Sequence, residues 1–343
     1  MPITKTIDTA RIKINVLSCG NPGAETILFI HGNLSSSVFW EPTMMALADE
    51  YFCIAPDLRG FGKTEPLKVD ATLGLNDMAQ DMLALVERLD VTRFHLAGHS
   101  MGGGVAMKMM LLRPEIIGSV TLANTISPYG YDGSVDEQGT PCYSDGSPGG
   151  AGYVDAEFIR RLASGDRSKE NSLSPRNILE QLYFKPPFVP DNIDKLLDAV
   201  LSAHVGDDWY PGNAVESSFW QGLAPGERGI VNAFSRRYFD ASNIADIRPK
   251  PPLLWLRGAD DMIICDEGAL NNWRPLESDW PDTDTYAPQP MLRQIRSVLE
   301  AYGNKGGVFI EQVIEDAGHT PFLEKPAEFN RAFLNFVSSI RGD

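Results

Sequence analysis

The stretch Leu96-Ala97-Gly98-His99-Ser100-Met101-Gly102-Gly103-Gly104 restricts what this chain can fold into more than any other. It closes an apolar run, Arg93 to Ala97, and opens onto Val105 to Leu112, whose Met, Leu and Ala content is that of a helix. The order is strand, tight turn, helix. A serine at the apex of such a turn takes a positive φ, where a Cβ two residues to either side collides with the turn. Glycine at 98 and 102 removes both collisions and gives Gly-x-Ser-x-Gly. The Ser100 hydroxyl is then held clear of its own backbone, and the Met101 N–H stands at a helix N-terminus where partial positive charge collects. Ser100 reads as a nucleophile beside an anion site. The same residues also fit a glycine-rich turn that only lets a strand and a helix pack closely.

The surroundings of this turn set the fold class. Thr26 to Ile30 is a continuous apolar run, the pattern of a strand covered on both faces, and Arg11 to Ser18 alternates like a half-exposed one. Val38 to Glu50 reads as a helix, Tyr51 to Ala55 as a strand, Leu75 to Leu89 as an amphipathic helix and Ile116 to Ala123 as a strand. Strand and helix in alternation predict a doubly wound, mostly parallel α/β sheet flanked by helices. From Ser127 to about Asp246 the rhythm breaks into helical stretches, including Ala156 to Ala163 and Val215 to Tyr238, with no strand pattern. That length is too great for a connection. It predicts a helical cap at 127–246, inserted after the sixth core strand, with 1–126 and 247–343 forming the core. The sheet resumes at Pro252 to Arg257 and near Val308 to Ile314, and a closing helix runs from about Pro326 to Ile340.

Composition narrows the partners. With 343 residues, 43% of them hydrophobic, the chain can bury a full core. A net charge of −16 argues against nucleic acid and anionic membrane, leaving a small or neutral molecule as the expected partner. Cys19, Cys53, Cys142 and Cys265 are far apart and lack Cys-x-x-Cys spacing, so neither zinc nor a disulfide framework is expected. Met1 to Val16 has no apolar core of a signal peptide, and the cytoplasm is the expected compartment.

In open parallel sheets ligands sit beyond the carboxyl ends of the strands. Four features fall at such ends: His31-Gly32-Asn33, Ser100, Asp260-Asp261 and Gly318-His319. A serine hydroxyl needs a base, histidine has the suitable pKa, and a carboxylate fixes the histidine tautomer. Among five histidines His319 is the best base, framed by Gly318 and Pro321 in a loop after the last strand. Either Asp260 or Asp261 supplies the acid; Asn124, at the end of the preceding strand, cannot carry the charge. His99 is expected to pack or hydrogen-bond locally. Asp57 and Arg59 are read as backbone-binding turn residues. The insertion is rich in aromatic residues, and Trp209, Phe219 and Trp220 are candidates for lining a substrate cavity.

The segments His31-Gly32-Asn33, Pro56-Asp57-Leu58-Arg59-Gly60-Phe61-Gly62, Gly98 to Gly103 and Ala317-Gly318-His319-Thr320-Pro321-Phe322-Leu323-Glu324-Lys325-Pro326 together resemble the capped α/β-hydrolases. The resemblance implies Ser100 as nucleophile, His319 as base and Asp261 as acid. In that family a glycine at the strand end is followed three positions later by the acid and then an apolar pair, as Gly258, Asp261, Ile263 and Ile264 are here. It also implies an oxyanion hole from the amides of Asn33 and Met101, a loop propped by His31, and no metal or organic cofactor. The expected reaction is hydrolysis of a carboxylic ester or lactone of a largely apolar small molecule.

Two alternatives stand beside it. One is a carbon–carbon hydrolase of vinylogous diketones, although Leu34-Ser35-Ser36-Ser37 lacks the glycine-rich stretch of those enzymes. The other is a small-molecule receptor with little turnover. Ser100 in place of aspartate speaks against haloalkane dehalogenase and epoxide hydrolase chemistry. An irregular piece at 271–290 lengthens the Asp261 to His319 separation, and either a narrowed entrance or a subunit contact in a homo-oligomer would account for it.

Overall fold

A computed structural model describes residues 2–220, 222–266 and 288–340. Its core strands are β1 (Ile3–Asp8), β2 (Lys13–Cys19), β3 (Thr26–Ile30), β4 (Phe52–Pro56), β5 (Phe94–His99) and β6 (Ile117–Ala123). After an intervening region that holds the short strands β7 (Ala214–Glu216) and β8 (Leu223–Pro225), β9 (Leu253–Gly258) and β10 (Phe309–Ile314) complete the core. The main sheet has the order β1-β2-β4-β3-β5-β6-β9-β10. Pairing is antiparallel for β1/β2 and β2/β4 and parallel elsewhere.

The apolar runs explain the centre of this order. Every residue of β3, β5 and β6 is buried, as expected of strands covered on both faces by crossover helices. Those helices include α1 (Glu41–Leu47), α2 (Asn76–Arg88) and α3 (Met101–Leu112). The edge strand β1 was invisible to hydrophobic patterning, because its residues are almost all exposed and it is held by backbone pairing with β2. On one face Trp40, fully buried, stacks on Phe322 with ring centroids 4.2 Å apart and lies 5.0 Å from Phe29 of β3. That aromatic packing seats the segment after His319 against the sheet.

Between β6 and β9 the chain carries helices Ala156–Ala163 and Ile193–Leu201, the short helices Pro175–Ile178 and Ile230–Ala233, and the β7/β8 hairpin. The expectation of a helix over Val215 to Tyr238, and of no strand in this region, is corrected by that hairpin. Gly222, Pro225, Gly226 and Gly229 punctuate the stretch too closely for a long helix and leave only Ile230–Ala233 helical. The 271–290 piece, with Trp273, Trp280 and Tyr286, falls outside the described residues except for its last three positions. Among the described residues no helix is long and apolar enough to cross a membrane.

Candidate active site

Ser100 lies between β5 and α3 with φ 54° and ψ −122°, the left-handed backbone that its flanking glycines permit. A Cβ at Gly98 would stand 2.4 Å from the Gly102 carbonyl oxygen, one at Gly102 2.4 Å from that of His31, and one at Gly103 2.1 Å from Thr125 Oγ1. The turn therefore excludes side chains on structural grounds, and it is anchored at both ends. The Ser100 amide donates to the Ala123 carbonyl at 3.0 Å, while the Ser100 carbonyl accepts from Gly103 at 2.9 Å and Ile126 at 3.2 Å. With its backbone groups used, the residue presents its hydroxyl at the carboxyl edge of the sheet. Met101 opens α3, where the first N–H groups lack helical acceptors.

His319 and Asp261 meet at that same edge. The imidazole Nδ1 is 2.9 Å from Asp261 Oδ2, and both side chains are buried. Because the carboxylate only accepts, Nδ1 is the donor, and in a neutral ring Nε2 is then the acceptor. Asp261 is held on every side: Oδ2 also accepts from Asn124 Nδ2 at 2.7 Å, and Oδ1 accepts from the amides of Ile263 at 2.8 Å and Ile264 at 3.1 Å. Asp260 points elsewhere, pairing with Lys185 at 2.9 Å. Asn124, which cannot itself carry the charge, thus acts on the acid's oxygen instead, a partnership that no sequence spacing reveals.

His99, directly before Ser100, reaches across the site. Its Nε2 lies 2.8 Å from the His319 carbonyl oxygen and so donates to it, and the two rings stand 4.6 Å apart. The expectation of a purely local contact is corrected: the partner is 220 positions away. Burial, then the nearby His319, hold His99 well below the ordinary histidine range, so the ring is neutral.

The loop after β3 is built around His31. Its Nε2 accepts from the Leu58 amide at 2.8 Å, which makes Nδ1 the donor toward the Gly32 carbonyl at 2.7 Å. Burial lowers its pKa and keeps it in that neutral form. Asp57 ties the neighbouring turn, accepting from Ser37 at 2.8 Å, Lys63 at 3.0 Å and Asn15 at 2.8 Å, and Arg59 pairs with buried Asp81 at 2.9 Å. Beyond His31 come Asn33 and Leu34, the latter at φ 44°. The Asn33 carbonyl accepts from the Tyr183 phenol at 2.9 Å, and the Tyr183 ring stands edge-on to His319 at 5.8 Å.

Tyr183 was only one of many insertion aromatics in the sequence, and no spacing singled it out. Of the three named as cavity candidates, Phe219 is 56% exposed and stacks on Tyr143. Trp220 is buried beside the same tyrosine, and Trp209 donates from its indole to the Pro66 carbonyl at 3.0 Å. Among the described residues no group of three or more His, Cys, Asp or Glu could hold a metal ion.

Comparison with known proteins agrees with this architecture. Residues 25–138 match the family model described as the alpha/beta hydrolase fold. A protein of Stutzerimonas stutzeri named "Putative carbamate hydrolase RutD" is 32% identical over 188 residues, 53% of this chain and 67% of that protein. The same-named protein of Rhizobium rhizogenes is 38% identical over 106 residues, 31% of this chain. That match spans 40% of the Rhizobium protein's length, and the match to an acetyltransferase component of the acetoin cleaving system of Cupriavidus necator spans 33% of its length. Among solved structures, a thermophilic esterase from Thermogutta terrifontis superposes with a TM-score of 0.60 at 20% identity, covering 99% of each chain. The N-acyl homoserine lactonase AidH superposes with a TM-score of 0.55 at 19% identity, covering 99% of this chain and 98% of that one. The chain belongs to the α/β-hydrolase fold family.

Proposed function

We propose that the protein is a serine hydrolase that cleaves a carboxylic ester or lactone of a largely apolar small molecule through an acyl-enzyme. The observation that carries this reading is the buried His319–Asp261 pair at 2.9 Å, beside a serine held at positive φ whose preceding residue contacts the His319 backbone. In this reading His319 Nε2 takes the Ser100 proton as Oγ attacks the acyl carbon, and Asp261 steadies the imidazolium through Nδ1–H. The amides of Asn33 and Met101 hold the developing oxyanion, a contribution of roughly 3–4 kcal/mol per donor at comparable sites. The imidazolium then protonates the departing alkoxide. A water, deprotonated by His319, attacks the acyl carbon and releases the acid, returning the proton to Ser100.

The region between β6 and β9 serves as the cover of this site, with Tyr183 facing the imidazole. The net charge of −16 fits a neutral, apolar substrate better than an anionic one. A panel of esters, lactones and, in view of the RutD-named relatives, carbamates tests the proposal alongside a fluorophosphonate label mapped by mass spectrometry. Labelling at Ser100 and loss of turnover in Ser100→Ala are expected. Turnover retained by Ser100→Ala rejects the mechanism, and tight ligand binding without any turnover favours a receptor.

A further inference from the structure

Glu324 lies five residues beyond His319, at the end of the short helix Pro321–Glu324, and its side chain is buried. Its carboxylate has an unusual set of partners. Both oxygens accept from the Gly318 amide at 3.0 Å, Oε1 accepts from the Thr320 amide at 3.2 Å, and Oε2 accepts from the Lys185 amide at 2.7 Å. Gly318 and Thr320 are the two chain neighbours of His319. Among the described residues no lysine or arginine forms an ion pair with Glu324, since Lys185 Nζ pairs with Asp260 and Asp316, and Lys325 with Asp316. A buried carboxylate that is answered only by backbone N–H groups is costly to keep, and a neutral side chain of the same shape could not accept from all of them.

The third amide belongs to the region between β6 and β9. There, residues 183–185 touch the loops that carry Asn33, Asp260 and His319. The Tyr183 phenol donates to the Asn33 carbonyl, the Tyr183 backbone carbonyl accepts from Thr320 Oγ1 at 2.7 Å, and Lys185 Nζ pairs with Asp260 beside Asp261. The approach is close: a Cβ at Gly318 would stand 2.8 Å from the Lys185 nitrogen and 3.0 Å from the Phe184 carbonyl carbon.

We propose that Glu324 is a positioning residue for the reaction, which clamps the backbone on both sides of His319 and fastens it to segment 183–185. The proposal rests on the reading of Ser100, His319 and Asp261 as the reacting set. The clamp fixes where the imidazole stands relative to Ser100, and its negative charge favours the imidazolium that forms as Ser100 loses its proton. Burial pushes the Glu324 carboxyl above its ordinary value, while the three amides and His319 oppose that rise.

The test measures the rate at which a fluorophosphonate labels Ser100, from about pH 5 to about pH 9, in the unmodified protein, Glu324→Gln and Glu324→Asp. Kinetics on the best ester of the panel accompany it. Glu324→Gln is expected to label roughly tenfold to a hundredfold more slowly, with kcat reduced and KM little changed. Its acid limb is expected to move to lower pH, because a charge favouring the imidazolium is gone. Glu324→Asp keeps the charge but falls one methylene short, so it should lose rate without moving that limb. Glu324→Gln labelling at the unmodified rate overturns the proposal. So do equal losses in both variants with no change in the pH profile, which mark a purely structural carboxylate. Hydrogen exchange on the unmodified protein needs no variant to fold: the Gly318 and Thr320 amides should exchange slowly, and free exchange at both also overturns it. Failure of the underlying reading looks different, since the unmodified protein would then not be labelled at Ser100.

Discussion

Asn124 Nδ2 donates to Asp261 Oδ2 at 2.7 Å, the same oxygen that receives His319 Nδ1 at 2.9 Å. The amide sits at φ 42° just past β6, and its own oxygen accepts from the Gly258 amide at 3.3 Å. It thus ties the end of β6 to the end of β9, just before Asp261. Two donors on one carboxylate oxygen fix its direction, and with it the ring that the carboxylate orients.

Asn124→Ala should therefore lower kcat by about tenfold, the scale of one hydrogen bond to a charged group, with a smaller change in KM. Steady-state kinetics on any turned-over ester check this. Unaltered kcat would make Asn124 dispensable to the pair.

Tyr183→Phe keeps the ring beside His319 and deletes only the bond to the Asn33 carbonyl. A loss of about 1 kcal/mol in stability or less is expected, together with a several-fold drop in kcat from loosening the loop proposed to hold the oxyanion. Denaturant unfolding and kinetics measured on one preparation separate the two effects. A stability loss with no kinetic change assigns the phenol to folding alone.

The glycines after Ser100 should differ sharply in tolerance. A Cβ at Gly102 meets two backbone oxygens, those of His31 at 2.4 Å and Ile30 at 2.5 Å. At Gly104 it meets side-chain tips, Ile126 Cδ1 at 2.7 Å and Leu75 Cδ1 at 2.8 Å. Gly102→Ala is expected to cost about 4 kcal/mol or more, or to prevent folding, as backbone cannot give way. Gly104→Ala should cost about 1–3 kcal/mol as side chains repack. Equal urea midpoints for the two variants would contradict the steric account.

Stability should fall on mild acidification. His31 and His99 are both held below the ordinary histidine value by burial, so in the folded state they resist protons that the unfolded chain takes up near its value of about 6.5. A depressed folded pKa gives stability that is complete above the unfolded value and is lost as pH drops beneath it, at up to about 1.4 kcal/mol per pH unit for each ring. Asp81 and Glu324, raised by burial, act in the opposite sense. Their stabilisation is present below the unfolded carboxylate value and is lost as pH rises through the folded one, so they matter in more acidic solution. Urea midpoints taken between about pH 7.5 and about pH 5.5 should decline; a flat profile over that interval refutes the neutral-histidine assignment.

The parts of the molecule legible in the sequence were those where one local rule decides. The full burial of Thr26–Ile30 follows from a continuous apolar run, and the turn at Ser100 from its flanking glycines. Asp261, named by family resemblance, stands 2.9 Å from His319 Nδ1. Illegible were the features made by contact across the chain. Asn124 and Asp261 are 137 positions apart, His99 and the His319 carbonyl 220, and Lys185 and Glu324 139. Strand β1 is illegible for another reason: its backbone pairing leaves no trace in a pattern whose one apolar pair, Ile3 and Ile7, is split by Lys5. The β7/β8 hairpin is three residues long on each side, too short for any period to register.

The threads from Tyr183 to Asn33, from Lys185 to Asp260, and from Glu324 to Lys185 bear on how such a chain can be re-engineered. A chimera that exchanges everything between β6 and β9 for a foreign segment would cut all three at once. It should emerge as a folded but sluggish scaffold. Grafts that retain residues 183–185 and vary what lies around them keep these contacts intact, and they are the economical starting point for altering what the proposed site accepts.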